Sequence, residues 1–142
     1  MFSFLLAFFS GVILPVQAGV NATLRGHLGH PFWASLCSFS VGTLVLALLT
    51  LGLRLPVPNF GGAPFWNWSG GILGVAYVTL AIVLTPRIGS ANFVGLAIAG
   101  QLLASLVLDH FGWLGVPQHS MSPTRVLGAL FLGAGVYLMA QK

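Results

Sequence analysis

Residues 91–113 form a run apolar enough to cross a bilayer, and it carries Gln101, Ser105 and Asp109 at steps of four. On a helix, steps of four keep side chains on nearly one face. Polar groups are costly in hydrocarbon, so they turn toward a bundle interior or a water-filled cavity. The run therefore predicts a greasy helix with one narrow polar stripe, around which the other segments pack. Asp109 is the only acid in the chain.

The remaining residues leave no soluble alternative. Of 142 residues, 57% are hydrophobic and 4% are charged, against about a quarter charged in a soluble domain. The chain is expected to be an all-α, multi-pass membrane protein. A net charge of +4 does not point to nucleic acid, because the Lys and Arg residues are scattered and form no basic run. They lie between the apolar segments, where interfacial anchors belong. The single cysteine, Cys37, sits in an apolar run and reads as a small hydrophobe.

Spanning takes about 20 largely apolar residues. Five segments qualify, at residues 2–21, 32–53, 66–85, 91–109 and 123–140, giving a single five-helix domain over residues 1–142. Alternation over about ten residues, the mark of a membrane β-barrel, is absent from these runs. The first segment lacks the basic residues that precede the apolar region of a signal peptide, so it is expected to remain as a helix. Loops are placed at 23–31, 54–65, 86–90 and 110–122. Ser122-Pro123 has the form of an N-cap followed by proline in the first turn.

Five spans put the termini on opposite sides. One side then receives Arg54 and Arg125, and the other Arg25, Arg87 and Lys142. Orientation follows the Lys and Arg bias, and two against three is the near balance of a protein that inserts both ways, and equally of a small protein with few charges by chance. In the fifth segment, Gly128, Ala129, Gly133 and Gly135 offer small faces for close helix contact, a packing or dimer seam.

Several polar residues are candidates for binding. Pro15 frees a carbonyl near Gly11, and Gln17 and Asn21 follow one turn apart. Interrupted helices often line binding cavities, although these amides can also bond a neighbouring helix. Gln101 either holds a polar solute or joins two helices. Asp109 either takes a proton or cation or pairs with His110 or Arg125. Ser105 shares its stripe, Ser35, Ser38 and Gly42 make a mildly polar face on the second segment, and Tyr77 with Thr79 does so on the third. The candidate solute-binding set is Gln17, Asn21, Tyr77, Gln101 and Ser105, with Asp109 and His110 as possible coupling or gating groups. The histidines form no metal cluster with Cys or carboxylate, and no nucleophile motif or phosphate loop is present. No metal, cofactor or enzymatic activity is expected.

An ordered set of motifs carries a resemblance. Gly11, Leu14, Pro15, Gln17 and Asn21 come first, then Trp68-Ser69-Gly70-Gly71 with Leu73 and Gly74. Gly100-Gln101, Ser105, Asp109-His110-Phe111-Gly112, Arg125 and Gly128 follow. Over nearly the whole chain, this set resembles the YdcZ-like branch of the drug/metabolite transporter superfamily. The resemblance implies a five-helix half-transporter in the bacterial inner membrane, paired in opposite orientation with a second copy or with an inverted paralogue. It implies movement of a small metabolite or drug-like solute by alternating access. The polar residues Gln17 and Gln101 lead us to expect that solute near mid-membrane, between the first and fourth helices. Residues 128–136 are similar to the dimer-forming last helix of small multidrug resistance proteins. Those proteins exchange protons through a glutamate in their first helix, and here that helix has no acid. A neutral or amphipathic solute held by Gln17, Gln101 and aromatics fits better than a cation. The rival expectations are a dual-topology ion channel and an accessory membrane protein without transport. Lipid, a small solute and the inverted copy are the expected partners.

Overall fold

The computed structural model describes residues 2–141; Lys142, counted above in the charge balance, lies outside them. Five α-helices follow in order: α1 (Phe2–Leu28), α2 (Pro31–Gly52), α3 (Ser69–Ile88), α4 (Ser90–Phe111) and α5 (Pro123–Ala140). With the 3-10 turn Phe65–Trp68 leading into α3, all five are long and apolar enough to cross a membrane. The chain forms two compact units, Met1–Arg87 and Ile88–Lys142.

In the first unit, α1 runs seven residues past the expected end of its span. The residues from Ala22 to Leu28 keep the helical repeat, and Leu24 packs against the small core formed by Ala34, Val78 and Ile82. The helix stops at Gly29, whose φ of 76° suits glycine, and whose N–H donates to the Arg25 carbonyl at 2.9 Å. The loop expected at 23–31 thus shrinks to Gly29 and His30. Asn21, which resembles a membrane-edge residue in the sequence, is buried well inside the helix at 4% exposure. Pro31 opens α2 at a position where its missing N–H costs nothing. Ala34 and Ile82 have no exposure at all, and a Cβ on Gly74 of α3 would touch the Phe39 ring of α2 at 3.5 Å.

In the second unit, α4 and α5 pack side by side. Gly95 of α4 lies against Val136 of α5, which a Cβ on the glycine would meet at 3.4 Å. The expected 86–90 turn contracts to Gly89 (φ 85°), with α4 beginning at Ser90. α5 begins as expected, with Ser122 Oγ accepting from the Arg125 N–H at 3.3 Å. Trp33, Trp66, Trp68 and Trp113 all stand exposed at or near helix ends, the placement of interfacial anchors. Large hydrophobic side chains are exposed along every helix, as they are where lipid is the solvent.

Candidate solute-binding groove

Helical spacing brings Leu14, Gln17, Ala18 and Asn21 to one side of α1. Ala18 and Asn21 turn into the first unit and are buried. The Asn21 Nδ2 donates to Ser38 Oγ of α2 at 3.2 Å. One turn earlier on α2, the buried Ser35 shares a hydrogen bond of 2.8 Å with Thr79 of α3. These two contacts tie α2 to both of its neighbours, the use expected of polar side chains between membrane helices.

Four other hydroxyls in the unit turn back to their own helix, and Thr85 Oγ1 is buried without a partner among the described residues. Ser10, Thr23, Thr43 and Thr50 donate to the carbonyls of Ala7, Gly19, Phe39 and Ala47. The Gln17 amide does neither. It is exposed and has no hydrogen-bond partner among the described residues. At 1.5 Å per residue it lies roughly 22 Å from one end of α1 and 16 Å from the other, well within a hydrocarbon layer of about 30 Å.

Two hollows meet at Gln17. One is a crevice of about 10 Å³ that Gln17, Asn21 and Tyr77 line together with Leu14, Val78 and Ala81, room for about one water. The other is a groove of about 280 Å³ between α1 and α2, lined by Gln17, Ser38, Phe39, Gly42, Thr43 and Leu46. The first unit thus brings Gln17, Asn21 and Tyr77 together, and adds Ser38 and Thr43, which were outside the candidate set. The small polar face of α2 carried a signal for Ser38. For Thr43 no spacing in the sequence marks it apart from Thr50.

The second unit places its polar residues differently. Gln101 and Ser105 are exposed on α4 and bond to no described residue. Asp109 accepts from Arg125 Nη2 at 2.7 Å, so of its alternatives the pairing with Arg125 is the one present. Around this pair the connector is closely tied. The Asp109 carbonyl accepts from the His119 N–H at 2.8 Å, and the His119 carbonyl accepts from Arg125 Nη1 at 3.0 Å. His110 accepts twice, at its carbonyl from Gln118 Nε2 (2.9 Å) and at Nδ1 from the Met121 N–H (3.2 Å). Gly112 ends α4 with φ 65°, and a Cβ there would crowd Gln118 at 3.3 Å. The Asp109-His110-Phe111-Gly112 motif thus closes one end of the α4/α5 pair.

The flanks of that pair are apolar. A groove of about 610 Å³ has Leu106, Ala129, Gly133 and Tyr137 among its walls. A second, of about 360 Å³, has Gly95, Phe131 and Gly135. Ala129 and Gly133 therefore lie on one flank of α5 and Gly135 on the other. A Cβ at Gly128, Gly133 or Gly135 would meet nothing within 4 Å, so the packing of this unit does not require glycine there. Among the described residues no group of His, Cys and acidic side chains is placed to hold a metal ion.

Comparison with known proteins places this architecture. The inner membrane protein YdcZ of Escherichia coli (strain K12) is 28% identical over 144 residues, covering 99% of this chain and 94% of that protein. No solved structure matches the chain. The family described as "Putative inner membrane exporter, YdcZ" matches residues 2–138. With five spanning helices and this match over nearly its full length, the chain is a multi-pass inner-membrane protein, a transporter at the level of class, and belongs to the YdcZ family.

Proposed function

We propose that the chain is half of a transporter, working as an antiparallel homodimer that moves a small solute by alternating access. The solute sits in the α1/α2 groove, against Gln17. The observation that carries this reading is the Gln17 amide itself: unpaired, deep in a membrane-spanning helix, and shared by both hollows of the first unit. An amide in hydrocarbon needs a partner, and a groove beside it supplies room for one.

Three facts support the dimer. Five spans put the two ends of a chain on opposite sides of the membrane. The Lys and Arg residues divide almost evenly between those sides. A groove of about 280 Å³ is at the small end of ligand sites and open along one side, so a second copy is needed to enclose a solute. An inverted pair also supplies the two-sided symmetry on which alternating access depends.

Single cysteines at Ser3 and Gln141, in a Cys37→Ala background, test this directly. Labelled from outside in intact cells, each end is expected to react in about half of the molecules. Cysteines replacing Val126 and Tyr137, near opposite ends of α5, are expected to cross-link to each other between copies and not to themselves. Labelling of one end only removes the homodimer and leaves an inverted paralogue as the partner to seek.

A further inference from the structure

We infer that the solute is uncharged and carries a hydrogen-bonding pair of the amide type, one donor beside one acceptor. This rests on the transporter reading above and specifies its substrate class.

Charge comes first. The residues lining the α1/α2 groove and the crevice beneath it include no Lys, Arg, His, Asp or Glu. The only acid of the chain, Asp109, lies in the other unit with its carboxylate bonded to Arg125 at 2.7 Å. An organic cation entering the groove would therefore leave water with no carboxylate to meet it, and an anion would meet no guanidinium. Stripping an ion of water without a counter-charge is costly in a medium of low dielectric.

The hydrogen bonds already made then fix what the groove has left to offer. Ser38 Oγ accepts from Asn21, so the hydroxyl proton of Ser38 is free to donate outward. Thr43 Oγ1 donates its proton to the Phe39 carbonyl, so it presents lone pairs alone. Gln17 presents both an N–H pair and a carbonyl oxygen. The groove thus shows a donor at Ser38, an acceptor at Thr43 and both at Gln17, on walls otherwise formed by Phe39, Gly42 and Leu46. A primary amide or urea-like group answers that pattern, with a small apolar body against Phe39 and Leu46.

Benzamide, benzoate and benzylammonium share a ring and differ in charge, and they separate the possibilities. Binding of each to the full-length protein in nanodiscs can be followed by saturation-transfer NMR, beside a flux screen in proteoliposomes with small solutes of all three charge classes. Benzamide is expected to bind best. Gln17→Leu should weaken it by about tenfold or more, because Ser38 and Thr43 alone cannot replace the amide pair. Gln17→Glu should transfer the preference to benzylammonium, a gain that a misfolded variant cannot give. If benzylammonium or benzoate binds the native protein better than benzamide, or if Gln17→Glu leaves the order unchanged, the substrate class is wrong and the transporter reading stands. If no solute of any class crosses the vesicle membrane, the transporter reading itself fails, and benzamide binding then reports a site without transport.

Discussion

The two units use a small stock of polar residues in opposite ways. In the first, polarity lies along the length of the helices: Asn21, Ser35, Ser38 and Thr79 join α1, α2 and α3, and Gln17 is left over beside a groove. In the second, apart from Asn92 on the Ile88 carbonyl, the side-chain hydrogen bonds gather at one end, where Asp109, His110, Gln118, His119 and Arg125 fasten the connector, and the two grooves beside the helices are apolar, with Gln101 and Ser105 outside them. The difference separates two duties. Mid-helix polarity without charge suits a solute that must enter and leave, whereas an ion pair of 2.7 Å at a helix end suits a joint that stays closed.

The contrast can be broken at several points, and the largest effect is expected where the first unit has its only fully buried large side chain among the described residues. Ile82 has no exposure and packs with Ala34 and Val78, so Ile82→Ala should cost about 2–4 kcal/mol of stability by the cavity it leaves. Thermal unfolding in detergent measures this, with Leu80→Ala, at an exposed position of the same helix, as the comparison. Equal losses at both positions would mean that the small core does not hold the unit together. In the second unit, Arg125→Ala removes both guanidinium contacts and strands the half-buried Asp109. Because the pair is part-exposed, the expected loss is about 1–2 kcal/mol, and proteolysis within residues 112–122 should quicken. An unchanged cleavage rate would deny the joint its role.

A smaller effect tests the first unit's polar contacts. Ser35→Ala and Thr79→Val, alone and together, form a double-mutant cycle across the 2.8 Å bond. A coupling of about 0.6 kcal/mol is the usual size between membrane helices. Coupling near zero would mean that these hydroxyls find equal partners when parted.

The five spans were legible because each is a long apolar run, and the start of α5 was legible because Ser122 and Pro123 are chemically specific to a helix N-terminus. The end of α1 was not. Asn21 and Arg25 look like a membrane edge in one dimension, but Asn21 is buried against α2 and the helix continues to Leu28, with Leu24 packed on the small core. The site was legible in part for a related reason. Gln17 and Gln101 stand alike in the sequence, each the one glutamine of an apolar run. Their difference lies in what surrounds them: Gln17 lines a groove with Ser38 and Thr43, and Gln101 lines neither groove of the α4/α5 pair. Register between helices decides that, and one sequence does not carry it. The same holds for the glycines of α5, which make one list in the sequence and two flanks on the helix.

Those glycines give the finest test. Ala replaces Gly in a helix with a gain of roughly 0.5–1 kcal/mol when the added methyl has space. At Gly133 a Cβ meets nothing within 4 Å, whereas at Gly95 it meets Val136 at 3.4 Å. Gly133→Ala should therefore raise the stability of the dilute chain, and Gly95→Ala should gain less, the two differing by a few tenths of a kcal/mol. Their effects on association should run the other way. If the flank carrying Ala129 and Gly133 faces the inverted copy, a methyl at Gly133 lowers the cross-linked fraction while one at Gly95, already turned toward α5, leaves it unchanged. A variant that stabilises the chain yet loosens the pair would show that Gly133 is kept for its neighbour and not for its own fold. Loss of the pair from Gly95→Ala instead would place the seam on the other flank, with Gly135.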